Sequence, residues 1–166
     1  SPEEKQERLD NEKIDLNKPE INYPLRVVVC DSCWLVQTED FVDADELFTK
    51  DYAYFSSTSI SWLEHAKKYS KMIREKLNLN GNSFVVEIAS NDGYLLKNFA
   101  EANIPCLGIE PTSSTAKAAE KLGIPVKHEF FGSNFAKELV DDGNSADLII
   151  GNNVYAHVPD IKDFTL

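Results

Sequence analysis

Residues 84–96, FVVEIASNDGYLL, decide the reading of this chain. Val85, Val86 and Ile88 make a short apolar run of the kind that suits a strand buried on both faces, and Tyr94, Leu95, Leu96 and Phe99 then recur at helical spacing. Between the two lie Glu87, Asn91, Asp92 and Gly93. A strand that runs through a glycine-containing turn into a helix places such residues at its carboxyl end, where open α/β sheets bind ligands.

Downstream, the pattern predicts a helix over 93–102, strand 106–110, helix 113–122, strand 125–129, helix 133–140 and strand 146–151. Strands alternating with helices through short connections imply a parallel sheet with right-handed crossovers. The expected class is α/β, a partial, doubly wound Rossmann-like sheet of four strands with one edge open. Upstream, Trp62, Ala66, Tyr69, Ile73 and Leu77 mark one face of an amphipathic linking helix. Before it, residues 23–38, YPLRVVVCDSCWLVQT, read as a small zinc-knuckle-like β-hairpin, with residues 27–29 and 34–36 flanking a knuckle that carries Cys30 and Cys33. The first twenty or so residues are charged and polar, an exposed lead-in. The division expected is 1–22 lead-in, 23–50 remnant of a metal-binding module, 51–80 lid segment and linking helix, and 81–166 ligand-binding sheet.

Composition bounds the partners. A chain of 166 residues with 42% hydrophobic and 27% charged side chains is globular in type. Its formal net charge of −11, with no cluster of Lys or Arg, argues against nucleic acid. The longest apolar runs are strand-sized and no leader peptide opens the sequence, so no membrane partner and a cytoplasmic location are expected. A monomer is the default expectation. Ser1 in place of Met, and a closing IKDFTL that begins a helix, suggest a piece of a longer polypeptide.

The turn is not a dinucleotide fingerprint, because Ser90, Asn91 and Tyr94 stand where GxGxxG needs glycines for a pyrophosphate to approach. One glycine with carboxylates close by suits an adenosine ligand that has no phosphate but has a cationic centre, which describes S-adenosylmethionine. The next strand, CLGIE at 106–110, also ends in an acid. Glu110 lies about twenty residues beyond the turn, where a carboxylate can accept hydrogen bonds from both ribose hydroxyls. The fourth strand, within ADLIIGNNVYAHVPD, brings Asn152, Asn153, Tyr155 and His157 to the same edge. His157 is a candidate for acid–base work or substrate hydrogen bonding, against a purely structural role. Tyr52, Tyr54, Ser56, Ser57 and Thr58 form a hydroxyl-rich segment suited to packing and capping, or to covering the pocket.

Cys30 and Cys33 in a hairpin turn have the spacing with which two thiolates take adjacent corners of a zinc tetrahedron. Half a zinc site is favoured over a plain thiol pair, and over a redox motif, which needs a helix start. Cys106 falls in a predicted buried strand, and His65, His128 and His157 are not at finger-like spacing from the pair.

Together YPLRVVVCDSCWLVQ, YAYFSSTS, VVEIASNDGYLL, GIEP and NNVYAHVPD, in that order, resemble class I S-adenosylmethionine-dependent methyltransferases, and within them the nucleotide-sugar C-methyltransferases that act on 4-keto-deoxysugars. The resemblance implies a zinc module with two CxxC pairs, a central cofactor-binding sheet and a C-terminal substrate domain. The first CxxC pair would precede Ser1 and the substrate domain, with the principal base, would follow Leu166. By resemblance Glu87, Ala89, Asn91, Asp92, Gly93, Glu110 and Pro111 line the cofactor pocket, Asn152 and Asn153 lie beside the methionyl or adenine portion, and Tyr54 and His157 face the sugar as catalytic residues. The implied chemistry is proton removal next to the C4 ketone, followed by attack of the enolate carbon on the sulfonium methyl. Methylation of another acceptor is the alternative within enzymes, and a non-catalytic cofactor-binding or zinc scaffold the alternative outside them. A nicotinamide dehydrogenase is disfavoured by the missing glycines.

Overall fold

The computed structural model describes residues 22–39, 41–48 and 52–166, so the expected lead-in at 1–20 lies outside the described residues. The chain divides into two compact units, Ser1–Ala44 and Asp45–Leu166.

In the first unit, strand β1 (Val27–Val29) pairs antiparallel with β2 (Val36–Thr38), Val28 lying opposite Gln37. The second strand begins later than the apolar run 34–36 suggests. Trp34 has a left-handed backbone, φ 62, and belongs to the knuckle. Its N–H donates to the Cys30 carbonyl and the Cys30 N–H donates to the Leu35 carbonyl, both at 2.9 Å. A short helix, α1 (Ala44–Leu47), follows in the sequence.

In the second unit, helix α2 (Ile60–Leu77) starts at Ser59, whose hydroxyl accepts the Trp62 N–H, and stops at Asn78, which takes the left-handed conformation that ends helices. The core is a four-stranded sheet: β3 (Val85–Ile88), β4 (Cys106–Ile109), β5 (Val126–Lys127) and β6 (Leu148–Ile150) in the order β5-β4-β3-β6. All pairs are parallel, with Val86 opposite both Leu107 and Ile149. The connecting helices are α3 (Lys97–Ala100), α4 (Ser113–Lys121) and α5 (Ser133–Asp141), and α6 (Ile161–Thr165) closes the described chain. The α/β reading and the parallel order hold.

Alternation along β3 and β4 divides the core in two. Val85 and Cys106 face a cluster with Ala66, Leu95, Leu96, Phe99, Ala119 and Ile124. Val86, Ile88, Leu107 and Ile109 face Leu139, Phe135 and Phe164 on the other side. Burying large apolar side chains at about 1.5 to 3 kcal/mol each on both faces is what holds a parallel sheet together. The chain passes from β3 outward to β4 and β5, then returns to place β6 on the other side of β3. This reversal creates a switch point between β3 and β6, and crevices at such points are where open sheets take their ligands.

Candidate functional site

Every strand of the sheet points its carboxyl end to one edge, so residues 89–93, 110–112 and 151–157 emerge side by side there. The turn after β3 is built from left-handed residues at every second position: Ala89 (φ 53), Asn91 (φ 51) and Gly93 (φ 77). These are the positions at which the chain needs glycine-like freedom, rather than Ser90 and Tyr94. Ala is a costly choice there, at roughly 1 to 2 kcal/mol, whereas Asn tolerates the conformation.

Gly93 has a second reason to lack a side chain. A Cβ on it would stand 2.5 Å from Ile124 Cδ1 and 3.3 Å from the Ala119 backbone, so the turn packs directly on α4. Gly108 serves the turn from below, since a Cβ there would meet the Ser90 hydroxyl at 2.4 Å.

Glu110 holds the turn from the neighbouring strand. Its Oε2 accepts the Asn91 N–H at 2.9 Å, and its Oε1 accepts the Thr112 N–H at 2.9 Å and the Thr112 hydroxyl. Thr112 in turn shares a hydrogen bond with Thr115 on α4. With three bonds made, one of the roughly four acceptor positions of a carboxylate remains.

Glu87 lies within β3 and is buried, on the face shared with Val85. Burial, then the charges of Asp92 and Glu110, push its carboxyl well above the ordinary range, while a hydrogen bond with Tyr94 opposes the shift. The Tyr94 hydroxyl also accepts from Asn152 Nδ2 at 3.4 Å, which ties β3 to the loop after β6 across the switch point. Burial and the nearby Glu87 raise the Tyr94 phenol to about 12. Trp62 of α2 packs against Tyr94 with ring centroids 6.0 Å apart and stacks on His65 at 5.1 Å.

Among the described residues, three buried polar atoms in this small region have no hydrogen-bond partner: Glu87 Oε2, Ser90 Oγ and Asp92 Oδ1. Unpartnered buried polar groups are rare and call for an explanation. Two orphaned carboxyl oxygens beside a third acid fit a ligand that brings a positive charge and hydrogen-bond donors. The residues present therefore suit the cationic adenosine cofactor that the sequence points to.

Ala89, Asn152 and Asn153 are exposed at the edge, and Pro111 is half-buried between Glu110 and Thr112. Asn153 is left-handed, φ 55. His157 ends a short 3-10 turn, Tyr155–His157, and is exposed, its backbone N–H donating to the Val154 carbonyl. Tyr54 is exposed too, and its segment is bound to the turn: Ser56 N–H donates to Asn91 Oδ1 at 2.9 Å, Ser57 N–H to Asp92 Oδ2 at 3.0 Å, and Asn91 Nδ2 to the Tyr54 carbonyl at 3.0 Å. Ser114 of α4 adds a bond to the Tyr52 carbonyl at 2.8 Å. The turn thus gathers Glu87, Asn91, Asp92, Tyr94 and Glu110 by hydrogen bonds or charge, whereas the rings of Tyr54 and His157 stand free of that network. Sequence reasoning missed Ser90, Trp62, Thr112 and Thr115. The Thr two residues after Glu110 was the available signal.

In the first unit, the N–H groups of Cys33 and Ser32 point at the Cys30 sulfur and lower its pKa, with the Cys33 side chain adding to the effect. That geometry stabilises a thiolate. Among the described residues no group of three or more His, Cys, Asp or Glu side chains is placed to hold a metal ion, so the knuckle offers two thiols. No described helix is long and apolar enough to cross a membrane.

The sheet and its carboxyl-edge turn have the open α/β architecture in which ligands are taken at a switch point. Residues 10–48 match the family model described as "Putative zinc binding domain". The chain is 31% identical over 141 residues, 85% of its length, to C-methyltransferase NovU of Streptomyces niveus. The chain spans 33% of the length of that relative. The crystal structure of YjhP from E. coli overlays 64% of this chain and 35% of its own at a TM-score of 0.33 and 15% identity, too slight a likeness to carry an argument.

Proposed function

We propose that the protein of which this chain is part transfers a methyl group from S-adenosylmethionine to carbon, on a nucleotide-linked 4-keto-deoxysugar. The observation that carries the cofactor half of this reading is the buried acid cluster Glu87, Asp92 and Glu110, with its two orphaned oxygens beside the switch point. The carbon acceptor is supported by the relationship to a C-methyltransferase. The sugar rests on the resemblance carried by YAYFSSTS and NNVYAHVPD.

The cofactor supplies an electrophilic methyl group on a sulfonium. The chain's residues bind and orient it. Glu87 and Asp92 provide acceptors for its cationic portion, and Glu110 fixes the turn and keeps one acceptor position for a ribose hydroxyl. Asn152 flanks the same crevice from the loop after β6. Tyr54 and His157, exposed at this edge, are the groups available to hydrogen-bond the sugar as negative charge builds on its oxygen. One such donor to a developing oxyanion is worth about a hundredfold or more in rate. The same reading places the protein in the cytoplasm as a monomer.

Calorimetry of the full-length protein with S-adenosylhomocysteine, paired with methyl transfer from labelled S-adenosylmethionine to dTDP-4-keto sugars, tests the reading. Binding with transfer to the sugar carbon is expected. Binding with transfer to other acceptors would replace the sugar, and binding without any transfer would favour a scaffold. Glu110→Gln should weaken binding by about tenfold, the value of one charge-assisted hydrogen bond. His157→Asn should lower turnover and leave cofactor affinity nearly unchanged.

A further inference from the structure

The side chains of Asn91 and Asp92 sit in the turn where a ligand is expected, yet most of their hydrogen-bonding capacity goes elsewhere. Asn91 accepts the Ser56 N–H and donates to the Tyr54 carbonyl, across 35 and 37 residues of sequence. Asp92 accepts the Ser57 N–H through Oδ2. Asn91 and Asp92 are both buried, whereas Tyr54, Ser57 and Thr58 are exposed. Within the segment 52–58, Tyr52 and Phe55 are half-buried and Tyr52 packs on Phe48 with ring centroids 5.6 Å apart, while Tyr54, Ser57 and Thr58 stand out in solvent. Its backbone is fastened at four points, three on the turn and one on Ser114.

From this we infer that Asn91 and Asp92 are positioning residues, which latch the segment bearing Tyr54 onto the ligand-binding turn. This rests on the methyltransferase reading of the site. The latch has a direct consequence for specificity. The backbone N–H of Asn91 is held by Glu110, so the acid that steadies the cofactor turn and the amide that steadies the acceptor-side segment belong to one residue pair. A turn already held by Glu110 holds the segment too, and the acceptor meets a Tyr54 already placed.

Hydrogen exchange on the full-length protein tests this, with variants Asp92→Ala and Asp92→Asn. The Asn variant retains an oxygen that can accept the Ser57 N–H. In the free protein, Asp92→Ala should speed exchange of the Ser56 and Ser57 amides by about tenfold or more, with β3 and β4 amides unchanged. Asp92→Asn should restore most of the protection. In turnover, Asp92→Ala should raise KM for the acceptor and lower kcat, and it should also weaken S-adenosylhomocysteine binding, because it removes Oδ1, the acceptor offered to the cofactor, together with Oδ2, which holds Ser57. Unchanged exchange of residues 56–57 in Asp92→Ala would overturn the latch. So would loss of S-adenosylhomocysteine affinity without a change in exchange, which would leave Asp92 a cofactor ligand with no part in holding the segment. Failure of the wild type to bind S-adenosylhomocysteine would defeat the proposed function, and exchange in the free protein would still decide the latch.

Discussion

The knuckle at residues 30–35 and the turn at residues 89–93 are both tight loops that aim polar groups at a point, and they are held by opposite means. Around the knuckle Val27, Val29, Trp34, Leu35 and Val36 are all exposed, and order rests on backbone hydrogen bonds between two three-residue strands. The turn is buried at four of its five residues and is gripped by β4, α4 and the 52–58 segment. A two-stranded hairpin by itself is marginal in water. The contrast teaches that a site built on a packed sheet is shaped before its ligand arrives, whereas one built on a bare hairpin takes its stability from what it binds.

The largest expected effect tests the hairpin side. If Cys30 and Cys33 give two of four zinc ligands in the full-length protein, one zinc per chain should be found by elemental analysis. Chelation should then abolish amide protection at 27–38 and leave the β3 and β4 amides as they were, because structural zinc contributes about 10–16 kcal/mol of apparent binding energy. A zinc-free protein with an ordered hairpin would break the comparison.

Next in size is Gly93→Ala. The new Cβ must take a left-handed backbone and displace Ile124 and Ala119, so a loss of about 2 to 5 kcal/mol is expected in denaturant unfolding of the sheet unit. A loss below about 1 kcal/mol would show that the turn is looser than its packing implies.

A smaller effect comes from Glu87. Its folded pKa is raised above the ordinary value of 4.5, so the native state holds the proton more tightly than the unfolded state. Stability from this group is therefore greatest below that value and falls as pH rises toward the folded pKa. Glu87→Gln should flatten this slope in the cofactor-free protein and stabilise it more at pH 8 than at pH 4. A slope that persists in the variant would assign it to another group.

The smallest effect concerns thiols. Burial and the charge of Glu87 raise the Cys106 thiol to about 11, while Cys30 is lowered by the knuckle amides. In metal-free protein, an alkylating reagent near neutral pH should label Cys30 ahead of Cys106. The reverse order would mean that the sheet opens more readily than the hairpin.

Much of this was legible in the sequence. Val85, Val86 and Ile88 marked a doubly buried strand because each apolar side chain had to face a layer, and the acids at 87 and 110 stood out against apolar neighbours. Helix α2 announced itself through Trp62, Ala66, Tyr69 and Ile73. What could not be read was the conformation of particular residues. Trp34 looks like a strand residue by type but turns left-handed, which shifts β2 to Val36–Thr38. Nor could spacing reveal that Asn91 spends its amide on Tyr54 and Ser56, since that pairing joins segments distant in the chain. The roles of Tyr54 and His157 depend on an acceptor, so their identity as candidates came from sequence and their test lies in turnover.

Asn91 has one more consequence, for how much variation this protein can bear. Its backbone is left-handed, its main-chain N–H is committed to Glu110, and its side chain both donates and accepts. Glycine would satisfy the backbone and forfeit the side chain. Aspartate would tolerate the backbone and supply the acceptor, but not the donor. Glutamine and histidine carry a donor and an acceptor too, and histidine tolerates the left-handed backbone, but both set those groups farther from it, so in a library of variants at this position asparagine should retain the most function.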